Sequence, residues 1–109
     1  MVLFKRRAVQ RALEELARDR TADQIADVLQ EQGIRGWSTP SYCPIAMYLK
    51  KVTGVKALSV FPKDVRDGWK PIVMPISARL FVQEFDGGNY PTLEVHGTAR
   101  YKIFHGVDL

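Results

Sequence analysis

Both ends of a helix are marked in the segment SYCPIAMYLKKVTG, residues 41–54. Ser41 or Cys43 can cap the first turn, and Pro44 fits there because the N–H that proline lacks would have no partner. Apolar side chains then repeat at helical spacing, at Ile45, Tyr48, Leu49 and Val52. Gly54 suits the left-handed position that ends a helix, so the segment predicts a complete helix.

The spacing of apolar residues predicts three more helices. They cover residues 5–19, residues 21–33 and residues 75–86. The second of these begins with a capping box. Thr21 can accept a hydrogen bond from the Gln24 amide, and the Gln24 side chain can accept one from the Thr21 amide.

Between the third and fourth helices the sequence has the pattern of β-strands. The segment at residues 55–61 is short and contains β-branched side chains, as strands do. Residues 69–74 form a second candidate strand, after an Asp-Gly turn. Pro71 places that second strand at a sheet edge or interrupts it. One or two final strands are predicted at residues 93–95 and 101–103. The order predicts an α+β fold, with three N-terminal helices, a small, mostly antiparallel sheet and a fourth helix packed on it.

Length and composition predict an ordinary globular protein. A chain of 109 residues fits a single domain spanning residues 1–109. One cysteine excludes an intramolecular disulfide and fits the reducing cytosol. No apolar run approaches the roughly 20 residues that cross a bilayer, and the first residues lack the charge order of a signal peptide. We therefore expect a cytoplasmic protein that does not contact membranes.

The candidate catalytic and metal-binding residues are few. Cys43, at a predicted helix N-terminus, could have an activated thiol, but a nucleophile needs a base. The two histidines, His96 and His105, lie far along the sequence, and their spacing with Cys43 does not fit a zinc site. No phosphate-binding glycine motif is present. We therefore expect no catalytic site, no metal and no cofactor, and an enzyme using Cys43 ranks third among the functional hypotheses.

A helix-turn-helix that binds DNA is the second hypothesis. It would use the helices at residues 21–33 and 42–53, because residues 25–34 are similar to the Ile-Ala-x-x-Leu-x-x-x-Gly-Ile pattern of serine-recombinase-like proteins. Residues 43–46, which would face the bases, offer almost no hydrogen-bonding groups. The net charge of +4 is concentrated on the first helix. The candidate DNA-binding residues are Lys5, Arg6, Arg7, Arg11, Arg35, Lys50 and Lys51.

Two further segments carry a family resemblance. Residues 43–49, CPIAMYL, follow Gly-Ile-Arg-Gly at residues 33–36, and Phe-Asp-Gly-Gly-Asn-Tyr-Pro occupies residues 85–91. This combination resembles a group of short proteins from actinobacteria and the phages that infect them. The likeness covers residues 22–93. It implies a small intracellular protein, phage-encoded or chromosomal, and implies no activity.

The first hypothesis is a non-enzymatic binding or regulatory protein that acts through protein contacts. Its partner would be an unidentified host protein or a second copy of itself. Aromatic side chains are favoured at the centres of interfaces. The candidate contact residues are Trp37, Cys43, Tyr48, Trp69 and Tyr90. The alternative for Cys43, Tyr48 and Tyr90 is a core junction between the third and fourth helices.

Overall fold

The computed structural model describes residues 2–67 and 70–95. Three helices precede a three-stranded sheet, and a fourth helix follows it, so the α+β class is confirmed. In chain order the elements are α1 (Val2–Ala17), α2 (Ala22–Glu31), α3 (Pro44–Thr53), β1 (Leu58–Val60), β2 (Asp64–Asp67), β3 (Lys70–Val73), α4 (Ile76–Asp86) and a short 3₁₀ helix (Pro91–Leu93).

The ends of α2 and α3 have the local chemistry that the sequence predicts. Thr21 Oγ1 accepts from the Gln24 amide at 3.2 Å, and Gln24 Oε1 accepts from the Thr21 amide at 2.9 Å. Cys43, rather than Ser41, caps α3. Gly54 ends that helix in the left-handed region, with φ of 74°, which glycine adopts without steric cost.

The sheet is an antiparallel meander in the order β1-β2-β3. Val60 pairs with Val65, which pairs with Ile72, and these three side chains lie buried on the inner face. The sequence predicts only two strands here, and the whole of β2 is missing from that prediction. Val65 is the only apolar residue of β2. Pairing on both sides, rather than a hydrophobic pattern, therefore defines this strand.

The buried side chains form one cluster that joins the helices and the sheet. α1 packs mainly against α3, and α3 also covers β1, whereas α4 packs most extensively against α2. The fourth helix therefore contributes Phe81 and Phe85 to the core chiefly beside α2. No helix in the described part of the chain is long and apolar enough to cross a membrane.

The segment after α4 differs from its predicted extended conformation. Residues 91–93 form the 3₁₀ helix, and Glu94 makes a single parallel bridge to Gly36. This bridge joins the end of the described chain to the loop between α2 and α3. The strand predicted at residues 101–103 lies outside the described residues.

Candidate functional site

The loop between α2 and α3 is fixed by backbone hydrogen bonds on two sides. The Gly36 amide donates to Leu93 O at 2.8 Å, and the Val95 amide donates to Gly36 O at 3.0 Å. Within the loop, the Trp37 amide donates to Tyr42 O at 2.7 Å, which closes a compact turn. The side chains of this turn are therefore presented from an ordered backbone.

Trp37 and Tyr42 form an aromatic pair on this turn. Their ring centroids are 5.7 Å apart and the rings are inclined by 57°. Tyr42 is 51% exposed although it is large and mostly apolar. Lys50 Nζ lies 5.1 Å from the Tyr42 ring centroid and donates to Ser41 O at 2.6 Å. The lysine therefore holds the turn against α3 while it covers one face of the Tyr42 ring.

Two grooves flank the aromatic pair. The Met47 groove has a volume of about 290 Å³ and is lined by Arg35, Gly36, Trp37, Tyr42, Met47 and Val95. The Phe61 groove has a volume of about 480 Å³ and is lined by Trp37, Thr39, Pro40, Ser41, Tyr42, Ser59 and Phe61. Trp37 and Tyr42 belong to both grooves and separate them.

Phe61 extends the aromatic side chains onto the outer face of the sheet. The Arg66 guanidinium lies 4.6 Å from the Phe61 ring centroid, and Arg66 Nε pairs with Asp64 Oδ1 at 3.1 Å. We call the group formed by Trp37, Tyr42 and Phe61 the aromatic surface. Its rings stand beside two cations, so it offers both apolar contact area and positive charge.

Three consecutive loop residues, among them Trp37 of the aromatic surface, have buried polar atoms in their side chains. Trp37 Nε1, Ser38 Oγ and Thr39 Oγ1 are buried and make no hydrogen bond to any described residue. A buried polar group without a partner costs about 1–3 kcal/mol. The Ser38 hydroxyl lies near the Asp86 carboxylate but outside hydrogen-bonding geometry. Buried polar atoms without a hydrogen bond to a described residue are therefore concentrated in this loop, next to the exposed Tyr42 ring.

Cys43 is enclosed by protein. Its side chain is buried and Sγ accepts from the Ala46 amide at 3.5 Å. Burial raises the pKa of the thiol to about 12, and the amides of Ala46 and Ile45 lower it by less. The burial of Cys43 therefore fits the core-junction alternative rather than contact with a partner, and the thiol is not activated as a nucleophile.

The other predicted contact residues do not join one surface. Tyr48 is half-buried and faces α1, where it lines a shallow groove with Arg11 and Val52. Tyr90 stacks on Phe81, with centroids 5.1 Å apart, and so belongs to the packing around α4. Trp69 lies outside the described residues. Of the predicted protein-contact residues that the structure describes, Trp37 alone belongs to the aromatic surface.

Tyr42 and Phe61 are site residues that the sequence did not indicate. Tyr42 lies inside the segment that predicts the start of a helix, and Phe61 lies at the end of a predicted strand. An aromatic residue just before a helix cap, and another just before Pro62, are the local signals that could have indicated them. Their common surface depends on the Ser41–Ser59 contact, with Oγ atoms 3.3 Å apart, which no local pattern reveals.

The candidate DNA-binding residues are dispersed. Arg7 and Arg11 are exposed on α1, Lys51 is exposed on α3, and Arg35 lies in the loop. Some of the others have contacts within the chain. Arg6 donates to Pro71 O at 2.7 Å, and Lys50 is held at Ser41. Lys5 lies in α1.

The N-terminal end of α3, which would contact base edges in a helix-turn-helix, is buried. Pro44, Ile45 and Ala46 form the first turn of α3 and all are buried. A recognition helix places its N-terminal residues against the base edges of the major groove. The first turn of α3 therefore has no free surface to present to a base, and the structure gives the helix-turn-helix hypothesis no support.

The described residues contain no group of three or more His, Cys, Asp or Glu side chains that could hold a metal ion. No protein-family model, curated protein or solved structure matches the chain. The aromatic surface is therefore the feature of the described chain that bears on function.

Proposed function

We propose that this protein is a small non-enzymatic binding protein that acts through protein contacts, and that the aromatic surface is its contact site. One observation carries the proposal: the Trp37–Tyr42 pair lies between two grooves, on a turn held by hydrogen bonds. Tyrosine and tryptophan supply much of the binding energy at interfaces because they combine large area with few rotatable bonds.

The order of the loop favours binding at this site. Trp37, Tyr42 and Lys50 are tied to one another by a backbone hydrogen bond, a ring contact and a cation–π contact. A surface that is ordered before binding loses less conformational entropy when a partner arrives. The aromatic surface therefore needs little rearrangement to accept an extended peptide segment.

The charges around the surface indicate the kind of partner segment. Arg35 lines the Met47 groove, and Lys50 and Arg66 stand over the Tyr42 and Phe61 rings. Such a surface complements a segment that offers aliphatic or proline side chains to the rings and carboxylates to the cations. The setting of an intracellular accessory protein, actinobacterial or phage-encoded, is supported by the family resemblance alone.

The two other hypotheses have less support. DNA recognition through α3 would require the buried first turn of that helix to reach base edges. Catalysis by Cys43 would require a thiolate, whereas burial raises the pKa of this thiol to about 12. Neither hypothesis uses the Trp37–Tyr42 pair.

Selection from a random peptide library tests the proposal. Full-length protein is immobilised, displayed peptides are enriched on it, and the dissociation constants of synthetic copies are measured by fluorescence polarisation. Tyr42→Ala should weaken binding by about tenfold or more, because it removes an aromatic ring at the centre of the contact. Nuclear magnetic resonance should show the Trp37 indole N–H signal shifting as peptide is added, with Trp37→Phe identifying that signal.

Val52 supplies the matched control. Its side chain is 48% exposed, close to the 51% of Tyr42, and it lies on the groove that Tyr48 shares with α1. Val52→Ala should leave peptide affinity unchanged. Enriched peptides that bind Tyr42→Ala as tightly as the unchanged protein would overturn the proposal, as would a selection that enriches no peptide.

A further inference from the structure

α4 carries a second apolar strip that faces solvent. Ile76 is 71% exposed and Leu80 is 48% exposed, and the two side chains lie one helical turn apart. The opposite side of the helix packs in the core, where four of its side chains are buried: Ala78, Phe81, Val82 and Phe85. Exposed apolar side chains that line up along an ordered helix indicate a contact surface.

These residues line a groove with a volume of about 490 Å³ between α4 and the turn that precedes β2. Pro62 and Lys63 form the side contributed by that turn. The other side is the α4 face, which we define as Ile76, Arg79, Leu80, Gln83 and Asp86. The α4 face shares no lining residue with the two grooves beside the aromatic surface.

Each charged residue of the α4 face lies at the end of the helix where the helix dipole is unfavourable for its charge. Arg79 lies in the first turn, where the helix dipole is positive, and Asp86 is the last residue, where it is negative. The first turn contains no acidic residue and the last turn no basic one. Neither Arg79 nor Asp86 forms a salt bridge with another described residue. Neither charge is therefore compensated by the dipole of its own helix or by an ion pair with another described residue.

The raised pKa of the Asp86 carboxyl is consistent with a side chain that has no cationic partner among the described residues. Burial raises the pKa of its carboxyl, and the nearby Ser38 hydroxyl lowers it by less. Arg79 makes one contact, from Nε to Met74 O at 2.9 Å, which leaves the rest of its guanidinium available for a second partner. A complementary surface would therefore carry a negative group opposite Arg79 and a positive group opposite Asp86, about two helical turns apart.

We propose that the α4 face binds the α4 face of a second copy of this chain, with the two helices antiparallel. A two-fold axis brings Arg79 beside the partner's Asp86 and, equally, Asp86 beside the partner's Arg79. Each charge also comes to the favourable end of the neighbouring helix dipole. Leu80 is covered within the overlap of the two helices, whereas Ile76 lies at the edge of that overlap. The α4 face is self-complementary in charge, which singles out a second copy among possible partners.

Sedimentation velocity of the full chain, from about 1 µM to 1 mM, tests this dimer over the range in which small interfaces associate. Arg79→Glu leaves two acidic residues on the α4 face, and Asp86→Arg leaves two basic ones. Each variant alone should dimerise about tenfold or more weakly than the unchanged chain, because like charges meet across the axis. An equimolar mixture of the two variants should form a heterodimer, because opposite charges then meet at both ends.

The two charge variants and their mixture distinguish a weakened dimer contact from unfolding of the chain. Each substitution matches its side chain to the dipole of its own helix, so α4 should stay folded, and recovery in the mixture cannot come from unfolded chains. Val52→Asp, on a distant exposed site, should leave the dimer unchanged, and so should Tyr42→Ala, which affects only the proposed function. A chain that stays monomeric up to about 1 mM, or a dimer that neither charge variant weakens, would overturn the inference.

Discussion

Tyr90 and Asp23 are joined by a hydrogen bond of 2.7 Å in which the Tyr90 hydroxyl donates to Asp23 Oδ1. The Tyr90 ring is also nearly parallel to the Phe81 ring, with an interplanar angle of 10°. Burial raises the pKa of the Tyr90 phenol above its ordinary value, and the hydrogen bond to Asp23 raises it further. The phenol therefore stays protonated and continues to donate, which links the segment after α4 to the first turn of α2.

Tyr90→Phe should lower the free energy of unfolding by about 1 kcal/mol, because it removes this hydrogen bond and retains the ring stack. Urea denaturation followed by circular dichroism measures the change. Tyr48→Phe is the control, since the Tyr48 hydroxyl makes no hydrogen bond to a described residue, and it should change stability by less than about 0.5 kcal/mol. Equal losses in the two variants would contradict the assigned role of the Tyr90 hydroxyl.

Gly36 is required because the backbone approaches it too closely for any side chain. A Cβ at this position would lie 2.7 Å from Pro44 N and 2.8 Å from the Cys43 carbonyl carbon, and it would also overlap Tyr42 O. These are backbone atoms at the start of α3, so they cannot rotate away. Gly36→Ala should therefore lower the free energy of unfolding by about 2 kcal/mol or more.

Gly87→Ala is the matched control for that change. Gly87 has a φ of −79°, and a Cβ there would meet its nearest neighbours at 3.5 Å, an ordinary contact distance. Stability should therefore change by less than about 0.5 kcal/mol or rise slightly, because alanine restricts the unfolded chain. Similar unfolding midpoints for the two variants would show that the close approach at Gly36 is absent in solution.

Cys43 should be protected from alkylation in the folded protein. Its thiol ionises near pH 9 in an unfolded chain, whereas burial raises the pKa of the folded thiol to about 12. At pH 8 the reactive thiolate should be about a thousandfold rarer in the folded state. Iodoacetamide labelling followed by mass spectrometry should therefore be far slower without urea than with it. Equal rates in both conditions would mean that Cys43 is accessible.

The same pKa difference predicts how stability depends on pH. Between about pH 9 and 12 the unfolded thiol loses its proton and the folded thiol keeps it, so unfolding becomes more favourable as pH rises. The loss is about 1.4 kcal/mol per pH unit in that interval. Other groups titrate there too, so the measured quantity is the difference between the unchanged protein and Cys43→Ala. No difference in slope would contradict the burial of this thiol.

The helices could be predicted from the sequence because their signals are local. The Thr21–Gln24 capping box and the Pro44 and Gly54 positions each involve residues within one turn of a helix end. β2 could not be predicted in this way. It has one apolar residue and is defined by antiparallel pairing with β1 and β3, which depends on the folded chain.

The candidate site could be predicted only in part, for a related reason. Trp37 was identified as an aromatic residue in a loop, but its partner Tyr42 is placed by the hydrogen bond from the Trp37 amide to Tyr42 O. Phe61 joins the surface through tertiary contacts around Ser41 and Ser59. For Cys43 the sequence left partner contact and a core junction as alternatives, and the side chain is buried, because capping α3 turns it inward.

The charge distribution leads to a last prediction, on DNA. The first turn of α3 is buried, so any binding to duplex DNA should come from exposed arginines of α1, such as Arg7 and Arg11, rather than from α3. Binding of labelled random duplex at about 50 mM salt should be weak and should be lost at about 200 mM, as expected for a few phosphate contacts. Arg11→Gln should bind the duplex more weakly than the unchanged protein does at about 50 mM salt.

Lys51→Gln is the informative comparison, because Lys51 is exposed on α3 and carries the same charge as the residue changed on α1. Binding at about 50 mM salt should stay within about twofold of the unchanged protein, since phosphate contacts would be made by another helix. A complex that persists at about 200 mM salt and is weakened by Lys51→Gln would place α3 against the duplex. That outcome would require the first turn of α3 to become exposed on binding, and it would move the helix-turn-helix hypothesis ahead of the protein-binding proposal.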